Sequence, residues 1–212
     1  FNLQSLVLKV GASSATVHAN VTNYSNPVAD GDYRIQIHAQ DFGSMAPGTA
    51  PAGDVSLHGK LHYQAVGDDP LLRDVQLNGQ IASDVLGMAA SGRRVEVRKV
   101  QGTYQFVGGN LEIKDLSVEG MGGLITANAE MKHLDTRPEG RVQASLRNIS
   151  LRAIQQTARA QMPQAALSGT IGGTVEASWT GSMSSVRAHS DLSVQALASS
   201  RTNRSRSEVP VD

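Results

Sequence analysis

The residue types that most often carry chemistry are present in this sequence, but their spacing argues against a catalytic site. His58 and His62 alternate onto one face of a predicted strand, where four residues at about 3.3 Å each place them roughly 13 Å apart. One zinc ion cannot bind both, because its histidine nitrogens lie near 2 Å from the metal. No Gly-x-Ser-x-Gly nucleophile elbow occurs, and Lys60 precedes Leu61 instead of the Ser or Thr of a phosphate-binding loop.

The glycine-rich and acidic clusters do not form recognisable binding loops either. The run 120–123 lacks the spacing of a dinucleotide-binding loop, and neither Asp30/Asp32 nor Asp68/Asp69 has the spacing of a calcium loop. The chain contains no cysteine, which excludes disulfides, thiolate metal sites and a cysteine nucleophile. We therefore expect no enzyme activity, no metal and no cofactor.

Composition narrows the function classes further. The 212 residues carry 19 basic and 19 acidic side chains, so no net field attracts nucleic acid. Aromatic residues make up only 4% of the chain, and the apolar fraction consists mostly of small aliphatic side chains. The sequence contains no run of eighteen apolar residues, so it predicts no membrane-spanning helix. The sequence opens without Met in a strand-like pattern, and we interpret it as an excised piece of a longer protein.

The elements that must position any site are strands. Apolar residues alternate with polar ones in most of the chain, as at Tyr33/Ile35/Ile37, and turn residues separate the alternating runs. The pattern predicts about twelve half-buried strands, antiparallel because the connections are short. A helix is predicted over 151–162, with Ser150 as N-cap and Pro163 as stop, and a shorter helix over 83–92.

A weak internal repeat organises these strands. Asn2-Leu3 through Ala19-Asn20 matches Asn110-Leu111 through Ala127-Asn128 with an offset of 108 in both places. We expect residues 1–197 to form one unit of two merged repeats, about 1–108 and 109–197. Residues 198–212 are predicted to be a polar Ser/Arg-rich loop or tail.

So many strands with one apolar face need something to cover that face. A two-sheet sandwich, a closed barrel and a curled trough each solve the problem. Because the inward-facing residues are mostly Ala, Val, Leu and Gly, the composition favours an open concave surface. We therefore predict an all-β fold with one or two short helices: a single, strongly curved, mostly antiparallel sheet forming a U-shaped trough with an apolar interior.

Several motifs resemble one known family. The runs 102–111, 116–118 and 122–127, together with Leu167 to Gly173 and Trp179-Thr180-Gly181, resemble repeats of the AsmA-like and TamB proteins of diderm bacteria. The first-repeat run 54–61 is similar. The resemblance implies a periplasmic segment of a protein anchored in the inner membrane, with a hydrophobic groove that conducts phospholipid acyl chains toward the outer membrane. Its implied partners are phospholipid, neighbouring repeats and, in one branch, an outer-membrane barrel protein.

Two functions stay open from the sequence. In the first, acyl chains lie along the apolar face and contact residues assigned by the alternation: Ile35, Ile37, Leu57, Leu61, Tyr63, Val75, Leu77, Ile125, Ala127, Val142, Leu146, Val175 and Leu192. In the second, the chain is a structural or chaperone-like β-scaffold that assists outer-membrane protein assembly by pairing its edge strands with a partner.

Overall fold

The described residues form one open antiparallel sheet. The structure is a computed structural model that describes residues 2–23, 25–45, 49–67, 70–90, 93–158, 168–182 and 185–197. Its strands are β1 (Asn2–Val10), β2 (Ser13–Thr22), β3 (Val28–His38), β4 (Thr49–Gln64), β5 (Val75–Ala90), β6 (Arg93–Val107), β7 (Asn110–Gly120), β8 (Gly123–Lys132), β9 (Glu139–Ser150), β10 (Ser168–Thr180) and β11 (Arg187–Leu197). Each strand pairs with its neighbours in the sequence, and among the described strands β1 and β11 form the two edges of the sheet.

Short turns produce this simple order. Gly108 and Gly109 connect β6 to β7 with φ of 58° and 75°, and Met121 and Gly122 connect β7 to β8 with φ of 50° and 78°. Two-residue turns with both φ values positive match the twist of antiparallel strands and favour a tight hairpin. The prediction of an antiparallel, all-β, unclosed sheet is therefore confirmed, and a fold with two separately closed cores is excluded for the described residues.

The predicted number of about twelve strands is slightly higher than the eleven described, because the alternation of side chains shifts by one residue in the middle of β6 and of β7. Lys99 in β6 and Asp115 in β7 adopt positive φ values of 48° and 52°, and the pairing register between β6 and β7 shifts near both. Each is a β-bulge, which places two successive side chains on the same face. The break in alternation at a bulge looks like a strand end in the sequence, although the strand continues.

One predicted helix is wrong and the other is confirmed over its first part. Residues 83–90 belong to β5, where they pair with both β4 and β6, so hydrogen bonding to two neighbours replaces the helical ladder; residues 91–92 lie outside the described part. The second helix is α2 (Leu151–Ala158). Its N-cap is as expected, since the Ala153 amide donates to Ser150 Oγ at 3.3 Å. The rest of that prediction, including Pro163, falls on residues 159–167, which lie outside the described residues.

Helical segments lie at both ends of the strands. A 3₁₀ helix (Ala39–Met45) follows β3 and α2 follows β9, and both lie at the rim where β1, β3, β5, β7 and β9 end; we call this the helix rim. The short helix α1 (Leu71–Asp74) lies at the opposite rim, between β4 and β5. The order of three strands, one helical segment and a further strand thus occurs twice along the chain. The origin of that order in a duplicated unit stays a prediction, and the tail 198–212 lies outside the described residues.

Candidate functional site

The candidate site is the apolar face of the open sheet. The register aligns apolar residues in rows across many strands, for example Leu61 beside Leu77, Leu77 beside Phe106 and Phe106 beside Leu111. The same register and alternation place all thirteen predicted contact residues on this one face: Ile35, Ile37, Leu57, Leu61, Tyr63, Val75, Leu77, Ile125, Ala127, Val142, Leu146, Val175 and Leu192. They lie in one layer but extend over β3 to β11 instead of converging on a point.

Burial distinguishes this face from an ordinary core. Twelve of the thirteen residues are half-buried, and the last, Leu192 on the edge strand, is 45% exposed. No large side chain among the described residues is less than 2% exposed, whereas the interior of a sandwich or closed barrel would contain many. A flat uncovered face would leave these side chains more exposed. Tyr33 and Phe106 on the same face are buried, at 4% and 9% exposed, so the face combines a small buried centre with half-buried surroundings. A concave sheet without a second layer among the described residues produces this gradation.

Two tyrosines lie across the middle of this face. Tyr33 on β3, Gly59 on β4, Gly79 on β5 and Tyr104 on β6 are successive register partners, and the two tyrosine hydroxyls form a hydrogen bond above Gly79. Gly79 lacks a side chain where the tyrosines lie, whereas a β-carbon at Gly59 would meet the backbone of Asn78 and Gly79 instead. Burial raises the pKa of Tyr33 and of Tyr104 above the ordinary value, and the contact with Tyr33 raises that of Tyr104 further.

The sequence interpretation did not assign a site role to these tyrosines. Their alternation was visible, but the link between residues 71 positions apart depends on a register that sequence alone does not give. The available signal was Gly59, an inward-facing glycine in a long apolar strand, which often marks a close approach. A similar arrangement occurs in the second half, where the ring of Trp179 covers its register partner Gly140.

The sheet is curved by contacts between elements that are not neighbours in the strand order. The Tyr33–Tyr104 contact connects β3 to β6, and α2 touches β6 as well as β9 and β10, although β7 and β8 separate β6 from β9. At the opposite rim, Arg73 Nε of α1 donates to Asp135 Oδ2 in the β8–β9 loop at 2.7 Å. These three links span several strands each, so they draw distant parts of the sheet together.

Hydrogen bonds to two carboxylates fix the helical segments at the rims. The Arg73 guanidinium holds the pKa of Asp135, whose side chain is only 5% exposed, below its usual range. At the helix rim, Ser13 donates its backbone amide and its hydroxyl to Asp41 Oδ2 at 2.8 and 2.6 Å. The hydroxyl bond is the largest cause of the lowered pKa of Asp41. Both carboxylates thus hold a helical segment in place at a rim of the sheet.

The opposite, polar face carries many ionisable residues, several of them in cross-strand pairs. His62 pairs with Asp30 at 2.7 Å and His18 with Asp32 at 3.3 Å, both largely exposed cross-strand pairs of small energetic value. No group of three or more potential metal ligands occurs in the described part of the chain. His58 lines a hollow with Arg34, Lys60 and other side chains and does not meet His62 at a shared metal position.

Five hollows lined by described residues lie on this polar face. One of about 690 Å³ at the helix rim is lined by Glu96, Arg98 and Glu119, and one of about 630 Å³ surrounds His58. Both are wide open and lined by side chains of mixed charge, in contrast to the enclosed apolar pockets that bind small molecules. We take the apolar face as the candidate site because the register aligns apolar side chains in rows across many strands.

Comparison with known proteins identifies no relative of this chain. No protein-family model matches the sequence, and no curated protein or solved structure is significantly similar to it. Among the described residues, no helix has the length and apolarity needed to cross a bilayer.

Proposed function

We propose that this chain is a segment of a lipid conduit whose apolar face holds phospholipid acyl chains. The resemblance noted in the sequence suggests the setting: the periplasm of a diderm bacterium, in a longer protein anchored in the inner membrane that supports outer-membrane biogenesis. The chain then catalyses no reaction and needs no cofactor. Its partners are phospholipid tails and neighbouring repeats of the same protein.

The observation that carries this proposal is the half-burial of twelve of the thirteen predicted contact residues on one uncovered face. Within the described residues no second layer covers the apolar face of the eleven strands, and a large uncovered apolar surface is typical of a binding site. An acyl chain is a fitting cover, because it gains about 0.8 kcal/mol for each methylene group removed from water. Contacts with apolar side chains suffice for this binding. The rows of register partners across the sheet consist mainly of such side chains.

The length of the face also suits this role. Eleven strands about 4.8 Å apart extend the sheet by roughly 50 Å along the hydrogen-bonding direction. A fully extended acyl chain is shorter than that, so more than one lipid can lie along the face. Movement along such a surface requires no specific hydrogen bond to be broken at each step.

Native mass spectrometry of the purified chain tests the proposal. We expect phospholipid to co-purify with the protein and to dissociate at higher collision energy. Leu61→Asp and Ile125→Asp place a carboxylate on the apolar face, and both should lose lipid while retaining the far-ultraviolet circular dichroism of the wild type. Gln80→Asp is the matched control, because Gln80 is an exposed position on the polar face of β5.

The same variants show which outcome would refute the conduit. In a dry core, either charge would be stranded and would cost several kcal/mol, a large part of the roughly 5–15 kcal/mol that stabilises a domain. Unfolded Leu61→Asp and Ile125→Asp proteins, together with a wild type free of lipid, would favour a closed core over a trough.

A second candidate function has its own supporting observation. Edge strand β1 is strongly apolar, with Leu8 58% and Val10 63% exposed, and such an edge can accept a strand from another protein. The chain would then be a β-scaffold that assists assembly of an outer-membrane barrel protein. In that case a strand peptide from such a barrel should protect the β1 amides from hydrogen exchange, while the lipid content should not affect binding.

A further inference from the structure

The hydroxyl pair of Tyr33 and Tyr104 places polar groups in the middle of the apolar face. The two hydroxyls meet above Gly79, far along the sheet from either edge strand. A hydroxyl in apolar surroundings costs free energy unless its hydrogen-bonding capacity is used. The rows of register partners on both sides of the pair are aliphatic where they cross β4 and β5: Leu57 with Ile81, and Leu61 with Leu77.

The bond between the two tyrosines uses only one of their hydroxyl hydrogens. Each tyrosine hydroxyl carries one hydrogen, so the pair has two donors and spends one of them on the mutual bond. Within the described residues, neither hydroxyl has another hydrogen-bond partner. The pair therefore retains one donor, and the group it lacks is an acceptor.

Burial indicates which of the two hydroxyls can meet a ligand. Tyr33 is only 4% exposed, whereas Tyr104 is half-buried on the open face. Because a hydroxyl hydrogen rotates about its C–O bond, Tyr33 can donate to Tyr104 while Tyr104 donates outward. A hydroxyl that accepts one hydrogen bond donates the next one more strongly, so this arrangement makes Tyr104 the better donor.

The lipid of the proposed function supplies an acceptor that suits this donor. A diacyl phospholipid carries neutral ester carbonyls beside its tails and a charged phosphate in its headgroup. Moving the charged phosphate out of water costs far more than moving a neutral carbonyl. The carbonyl is also attached directly to the tail, so it can reach the tyrosines while the tail lies along an aliphatic row beside them.

We propose that Tyr104, supported by Tyr33, binds the ester carbonyl of a diacyl glycerolipid on the apolar face. This inference rests on the proposed lipid conduit and adds one position at which a lipid pauses. Along the aliphatic rows a tail makes only apolar contacts and slides without breaking a hydrogen bond. At the tyrosine pair one hydrogen bond forms, and it distinguishes ester-linked lipids from ether-linked ones.

Isothermal titration calorimetry with two matched lipids tests this position. The probes are dioctanoyl phosphatidylcholine and its dioctyl ether analogue, each kept below its critical micelle concentration. They share the headgroup and differ in the two carbonyl oxygens. One neutral hydrogen bond corresponds to roughly a two- to tenfold change in Kd, so Tyr104→Phe should shift the ratio of the two Kd values toward the ether lipid by about that factor. Tyr33→Phe should shift the ratio less, because the Tyr104 hydroxyl remains.

The infrared absorption of the ester carbonyl provides a second readout, which a purely structural role of the tyrosines would not change. This band lies apart from the amide bands of the protein, and a hydrogen bond lowers its frequency. Lipid bound to the wild type should show a low-frequency component that is missing with Tyr104→Phe.

The outcomes separate this inference from the conduit itself. An unchanged Kd ratio in Tyr104→Phe, including equal weakening of both lipids, would overturn the ester position and leave the conduit standing. A larger shift in Tyr33→Phe than in Tyr104→Phe would contradict the choice of Tyr104 as the donor. If the wild type binds neither lipid, the conduit fails and the ester position fails with it.

Discussion

Adding one methyl group at Gly79 should destabilise the sheet, although alanine normally suits a strand better than glycine. A β-carbon at Gly79 would lie 2.5 Å from the Tyr33 hydroxyl, 2.5 Å from the backbone carbonyl oxygen of His58 and 3.1 Å from Cζ of Tyr104. The hydroxyl can move only by giving up its contact with Tyr104, and the carbonyl oxygen can move only if β4 and β5 separate. Gly79→Ala therefore meets one clash that breaks a hydrogen bond and another that distorts the sheet.

The expected size follows from two opposing effects. Overpacking costs about 1–3 kcal/mol, and the lower backbone entropy of an unfolded chain with alanine returns roughly 0.5–1 kcal/mol. The midpoints of both ranges give a net loss of about 1.3 kcal/mol. This loss corresponds to a Tm lower by roughly 2–5 °C, because one kcal/mol shifts the Tm of a chain of this size by about 2–4 °C.

Thermal melts followed by circular dichroism measure this, with Gly172→Ala as the control. Gly172 is also a strand glycine, but its nearest atom to an added β-carbon is the Leu146 carbonyl oxygen at 3.4 Å, an ordinary contact. The control should melt at or slightly above the wild-type temperature. If Gly79→Ala melts at the same temperature as Gly172→Ala, the tyrosine pair does not lie over Gly79. The arrangement described for the middle of the apolar face would then be incorrect.

Three further predictions concern single groups. Ser83 Oγ is buried without a hydrogen-bond partner in the described structure, so Ser83→Ala should remove an unsatisfied group and raise the Tm by about 2–4 °C; a lower Tm would show that the hydroxyl has a partner. The lowered pKa of Asp135 contributes stability that is present above its unfolded pKa of about 3.9 and is lost as the pH falls below it. Arg73→Gln should flatten the loss of stability in that acid range, as measured by denaturant titration, and an unchanged acid profile would argue against the link between α1 and the β8–β9 loop. The raised pKa values of Tyr33 and Tyr104 contribute stability that is complete below the unfolded value of about 10 and declines above it, so a protein with both tyrosines changed to Phe should lose less stability between pH 9 and 11 than the wild type.

The sequence predicts which residues share a face of the sheet better than it predicts the contacts between distant strands. Alternation is a local property, so the thirteen contact residues could be placed on one face without knowing which strands pair. Bulges defeat the same argument, because Lys99 and Asp115 shift the alternation without ending the strand. The tyrosine pair and the link from Arg73 to Asp135 depend on how far the sheet curves. No local pattern in the sequence encodes that curvature.

The central claim is that the apolar face is open to solvent when empty and covered by acyl chains when loaded. Leu57→Cys introduces one thiol into this cysteine-free chain at a half-buried position on that face, and Gln80→Cys does so on the polar face. We predict that a maleimide labels both thiols quickly in the folded, delipidated protein. Adding phospholipid should slow labelling at position 57 by at least tenfold and leave position 80 unaffected. A position 57 thiol that reacts only after denaturation, or that reacts equally fast with and without phospholipid, would contradict the trough.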